Sequence, residues 1–191
     1  MVVERLVKLS VDRQVIVLTH RLSLVSLLDQ FSKKAGINSH FIGIRSEIWG
    51  TGNPGDIPIN VKKPHRVLNT LITNRLPPAK RVFEELGGEF YDPLAKSMCS
   101  DFRILLERMI EDVLLYDIIH RFRRSVQTDN KILNLSKITN EDCELFDNLM
   151  TKYSKYEHSQ SRETPLNMPD PNDLETDFQI LKTWHDDYIQ R

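Results

Sequence analysis

Apolar residues recur along this chain in two rhythms, and the rhythm changes near residue 58. Val3, Leu6 and Val7 lie at helical spacing, which predicts an amphipathic helix within residues 1–12. No Ser, Thr, Asp or Asn stands ahead of it to cap it, so the sequence reads as beginning inside an element. Between Gln14 and Thr19 come four consecutive large apolar residues, Val15 to Leu18, three of them β-branched. Such a run predicts a strand buried on both faces, as in a parallel sheet covered by helices. Leu24, Leu27, Leu28 and Phe31 then form the stripe of a helix that Lys33, Lys34 and Gly36 close. A second strand is expected over about Ser39–Ile48, where Ile42 and Ile44 alternate with Gly43 and Arg45. Strand, helix and strand together predict a right-handed βαβ unit.

Residues 49–64, WGTGNPGDIPINVKKP, hold three of the seven glycines and three prolines, which predicts a loop and a domain boundary. Beyond it the period is helical throughout. Val67, Leu68, Leu71 and Ile72 mark one short helix, and Ala79 to Leu86 a second, closed by Gly87-Gly88. A long helix is expected over Ser97–Arg124, through Phe102, Leu105, Leu106, Met109, Ile110, Val113, Leu114 and Ile118. Thr139 with Asp142 three residues on reads as an N-cap, and Asp170-Pro171 opens a last helix with Leu174, Phe178, Leu181 and Trp184 on its apolar side. The expected fold class is therefore α/β giving way to mostly α. The expected domains are an α/β part over 1–58 and a helical region over 59–191.

Composition narrows the function classes. The formal net charge is -1, so no overall field draws the chain to nucleic acid or to an anionic membrane, and any such contact must come from a local patch. No apolar run approaches the roughly 20 residues of a membrane span. The opening MVVERLVKLSVDR mixes charges among its apolar residues and has no small-residue cleavage site, unlike a signal peptide. Cys99 and Cys143 are isolated from each other and from any histidine cluster, which argues against a disulfide framework or a zinc site and for the cytoplasm.

The sharpest candidate for chemistry is His20, at the carboxyl end of the first expected strand, where open α/β sheets bind ligands. The plainer reading is a histidine that hydrogen-bonds a neighbouring loop. The segment RLVKLSVDRQVIVLTHRLSLVSLL (5–28) resembles the end of an ABC-type P-loop ATPase core, in which a buried strand ends in Thr-His. HRFRRSVQT (120–128), LSKITNEDCELFDNLMTKYSKYEHSQ (135–160) and PDPNDLETDFQILKTWHDDY (169–188) resemble the C-terminal region of bacterial SMC-like AAA-family ATPases. The resemblance implies that Thr19-His20 is the H-loop and His20 the switch histidine that meets the γ-phosphate. It implies ATP and magnesium as the parent's ligands, a second head (a homodimer) or the rest of the head as partner, and DNA repair or anti-phage defence as process.

Hydrolysis on that fold needs a GxxxxGK[ST] phosphate loop and an apolar strand ending in a carboxylate pair. Neither occurs here. TGNPGD (51–56) has glycines but no Lys-Ser/Thr. In the resembled family those motifs precede the helix on which this sequence opens. The chain is thus expected to be a C-terminal fragment, cut just past the D-loop and inactive alone.

Two basic clusters are candidate nucleic-acid contacts: Lys62, Lys63 and Arg66 with His65, and Arg121, Arg123 and Arg124 with His120. The plainer reading of both is a solvated face, since the balanced net charge argues against strong electrostatic binding. Tyr153, Tyr156 and His158 offer rings for stacking on bases, or for packing at a domain margin. Arg13 and His20 match the Arg-x(4–6)-His spacing of helical ribonucleases but fall on an expected strand. The tail from Asp170 carries six acids against Lys182 and Arg191, an acidic solvated face or a partner contact. The alternative to an ATPase fragment is a stand-alone, non-catalytic helical module that binds nucleic acid or protein.

Overall fold

The computed structural model describes residues 2–48, 50–59, 61–121, 125–157 and 167–191. The chain divides into two compact units, Met1–Lys62 and Lys63–Arg191.

In the first unit α1 (Val2–Leu9) packs on α2 (Leu22–Lys34) and buries Val3 and Val7, one helical turn apart. α2 ends as its sequence anticipates, with Lys33 and Lys34 in the last turn and Gly36 beyond at φ 68°. The expected parallel βαβ unit does not form. The sheet among the described residues is one antiparallel hairpin of β1 (Gly43–Glu47) and β2 (Gly50–Gly55), with Ile44 opposite Pro54 and Arg45 opposite Asn53.

Residues 14–21 carry no regular structure, and Ile16 and Leu18 are 77% and 81% exposed. A strand needs a neighbour for its N–H and C=O groups and a surface against which to bury its side chains. Among the described residues no strand pairs with this segment, and only Val15 and Val17 are half-buried. The expected loop over 49–64 instead contributes β2. Gly50 and Gly52 take φ 143° and 84° on the way through the hairpin, and Pro54 sits in a strand whose outer edge needs no donor.

The second unit is helical. α3 (Pro64–Thr70) runs through a π turn (Leu71–Arg75) into α4 (Leu76–Leu86), and Gly87 at φ 84° joins it to α5 (Gly88–Met109). α6 (Asn140–Glu157) and α7 (Pro171–Tyr188) complete the unit. α5 is central and packs against α3, α4 and α6. Its Phe102 is fully buried between Tyr153 of α6 and Phe178 of α7, with both ring centroids 4.7 Å away. The α7 stripe of Leu174, Phe178, Leu181 and Trp184 is buried as its period predicts.

Helix starts follow their capping residues. The Thr139 N–H donates to Asp142 Oδ2 at 2.9 Å while the Asp142 N–H reaches back to Thr139 Oγ1 at 3.4 Å, a reciprocal box ahead of α6. Asp170 Oδ1 accepts from the N–H groups of Asn172 and Asp173 at 2.7 and 3.0 Å. The long helix departs from expectation at both ends. It begins at Gly88, carries Pro93 inside, and leaves α geometry at a π turn (Ile110–Leu114). Tyr116 and Asp117, at φ 52° and 60°, then reverse the chain, and the Asp117 N–H bonds the Glu111 carbonyl at 2.9 Å. Ile118 is still buried, so the apolar period past Val113 reports burial and not helix.

Candidate functional site

That reversal gathers seven titratable side chains. The last turns of α5 present Arg103, Glu107 and Arg108, the π turn adds Glu111 and Asp112, and the returning chain brings His120 and Arg121. Arg121 donates from Nε to Glu111 Oε1 at 2.6 Å and pairs through Nη1 with Glu107 Oε2 at 2.5 Å. Glu107 also meets Arg103 at 2.6 Å, and Asp112 meets Arg108 at 2.5 Å. His120 lies between two carboxylates, Nδ1 3.6 Å from Glu111 Oε2 and Nε2 3.6 Å from Asp112 Oδ1. Burial works against the charge of Arg121, but Glu111 and Glu107 outweigh it and hold the guanidinium above its ordinary pKa.

Glu111, Asp112 and His120 offer ligand atoms within 4.8 Å of one another, and Glu111 Oε2 is buried without a hydrogen-bond partner. Those residue types suit a divalent cation. The surrounding charge does not, because Glu107, Glu111 and Asp112 already face Arg103, Arg108 and Arg121. A cation would add two charges to a balanced cluster and compete with those guanidinium groups for the carboxylates. The arrangement fits best as an ion-paired lock that fastens the returning chain to the end of α5.

His20 stands elsewhere, exposed, in the irregular segment just before α2. Thr19 Oγ1 accepts the Arg21 N–H at 3.0 Å, a turn that leads into the helix. Lys62 belongs to the first unit, where its ammonium hydrogen-bonds Asp56 and holds that carboxyl below its ordinary range. Lys63 and Arg66 are exposed on the second unit. Between them His65 lies 6.1 Å, ring to ring, from His185. Burial lowers the His65 pKa first, and the positive charges of His185, Lys63 and Arg66 lower it further.

Arg123, Arg124 and His158 lie outside the described residues. Tyr153 is fully buried and donates to Asp177 Oδ2 at 2.6 Å, so its ring belongs to the core and is closed to a base. Sequence reasoning singled out Arg121 and passed over its partners Glu107 and Glu111. Their one-turn spacing on the same helix was the signal that could have found them.

The two basic groups should therefore behave differently. Arg121→Ala is expected to leave any affinity of the chain for a short DNA duplex unchanged, because its charge is already offset by carboxylates. Lys63→Ala/Arg66→Ala is expected to weaken that affinity at least about threefold at low salt and to flatten its salt dependence. Fluorescence anisotropy on variants first shown to be folded decides this. Equal losses in both would mean that the Arg121 pairs open toward DNA.

No protein family, no curated protein and no solved structure matches this chain.

Proposed function

We propose that this chain is the C-terminal part of an SMC-like, ABC-type ATPase and that it does not hydrolyse ATP by itself. The observation that carries the reading is the exposure of Ile16 and Leu18 in a β-branched apolar segment with no strand partner among the described residues, ending in Thr19-His20. Apolar side chains with strand composition favour burial between helices in a larger sheet, worth about 25 cal/mol for each Å² removed from water. In such a sheet His20 would stand at the carboxyl end of its strand, where the γ-phosphate of a bound nucleotide lies in the resembled family.

ATP and magnesium would be held by a phosphate loop and a Walker-B strand absent from these residues. A second head, as in a homodimer, would close over the nucleotide. DNA repair or defence against phage is the process class that goes with the resemblance. The test is a reading of the coding DNA immediately upstream of the Met1 codon, in all frames. A Walker-A loop, a signature motif and a Walker-B strand are expected there. An unrelated gene or a clean promoter would overturn the proposal.

A second reading rests on a different observation. Lys63–Arg191 closes a core of its own around Phe102, which suits a non-catalytic helical binding module. That reading requires steeply salt-dependent affinity for DNA, or a protein partner, without any upstream ATPase motif.

A further inference from the structure

His65 is the second residue of α3, next to the buried Pro64 and just ahead of the buried Val67 and Leu68. α3 packs against α7, and there the His65 ring stands 6.1 Å, centroid to centroid, from the ring of His185. The two imidazoles differ in what surrounds them. His185 lies in the last turn of α7 with its side chain 12% exposed, and its Nδ1 is 3.2 Å from Asp186 Oδ1. A helix C-terminus and a carboxylate both suit a positive ring. His65 has neither. It stands at the opening turn of α3, which runs on through the π turn into α4, and the N-terminal end of a helix disfavours a cation. The charges that act on it are all positive: His185 across the contact, and Lys63 and Arg66 on either side along its own chain.

The other elements packed on α3 do not offset those charges. Arg75, in the π turn, is itself a cation and is turned to Asp101 and Ser97 of α5. Among the described residues no carboxylate acts on His65. We propose that His65 is an acid-sensitive release for α3: as a neutral ring it lets the helix lie against α7, and as an imidazolium facing His185, Lys63 and Arg66 it loosens that contact. Burial and the three positive neighbours hold the His65 pKa below the ordinary histidine value. The folded form therefore takes up this proton less readily than the unfolded chain. The stability that depends on a neutral His65 is complete above about pH 6.5 and is lost as pH falls below it. This window lies above the acid range in which Asp142 gains its proton, so the two effects separate on the pH axis.

The test is backbone amide protection at Val67, Leu68 and Leu71 of the full chain, compared between about pH 7.5 and 5.5 after correction for intrinsic exchange. Protection should fall at least about threefold on acidification in the wild type. The fall should be absent in His65→Gln, which cannot take up the proton, and smaller in His185→Gln. It should be unchanged in His40→Gln, an exposed histidine of the first unit. A second readout does not depend on the histidine variants. The His65 ring proton, followed by NMR, should titrate at lower pH in the folded chain than in urea, and its midpoint should rise in Lys63→Gln/Arg66→Gln. Helical circular dichroism verifies that each variant is folded. Constant protection in the wild type, an equal fall in His65→Gln, or a folded midpoint at or above the one in urea would each overturn the proposal.

Discussion

Phe102→Ala is expected to lower the stability of the helical unit by about 3–5 kcal/mol. The side chain is fully buried on the central helix and stands 4.7 Å, centroid to centroid, from both Tyr153 and Phe178. Its removal deletes the transfer free energy of the ring and leaves a cavity where α5, α6 and α7 converge. Tyr153 cannot swing in to fill that space, because its hydroxyl is held by Asp177 Oδ2 at 2.6 Å. Against a typical stability of about 5–15 kcal/mol the loss is large. Urea denaturation followed by helical ellipticity measures it as a lower midpoint at similar slope. A change below about 1 kcal/mol would mean that the unit repacks freely around the vacancy.

Asp142→Ala ranks second, at an expected cost of about 2–4 kcal/mol. The residue is buried, and its carboxylate accepts Trp184 Nε1–H at 2.8 Å, the Thr139 N–H at 2.9 Å and Arg191 at 2.8 Å. Alanine strands a buried indole N–H and removes half of the box that starts α6. The pH dependence follows from the same contacts. Burial pushes the Asp142 carboxyl up, but the Thr139 N–H, Trp184 and Arg191 together outweigh it and hold the pKa below its ordinary value.

The folded form therefore binds this proton less readily than the unfolded chain. The stabilisation is complete above the ordinary carboxylate value of about 4 and is lost as pH falls below it. Wild type and Asp142→Asn should differ in melting temperature by a constant amount from pH 7 to about 5, with the gap narrowing below about pH 4. A gap that stays constant down to pH 3 would mean that the charge on Asp142 contributes nothing to the difference.

Where a local signal names its own partner, the sequence was readable to the residue. Thr139 with Asp142, Asp170 with Pro171, and the α7 stripe through Trp184 form as their spacing predicts. Val15–Leu18 is different, because an apolar run shows what a segment favours burying without showing whether a neighbour is there to receive it. β2 was illegible for the opposite reason. Gly50–Gly55 has no strand composition and pairs through backbone and turn geometry alone.

The long helix misled because burial continues to Ile118 while the backbone has already left the helix at the π turn. The ion-paired cluster was half visible. Arg121 stood out as a cation, but its carboxylates reach it only through the reversal at Tyr116 and Asp117, where two non-glycine residues take positive φ against their usual preference.

Steady-state ATP hydrolysis, compared between the 191-residue chain and a longer polypeptide that includes the in-frame coding sequence upstream, tests the claim that this chain is an ATPase fragment. The claim predicts no turnover by the shorter chain, turnover by the longer one, and a loss of at least about a hundredfold in the longer one on His20→Ala, the size of effect seen when one transition-state donor is removed. Hydrolysis by the shorter chain, or a His20→Ala variant as active as its parent, would contradict it.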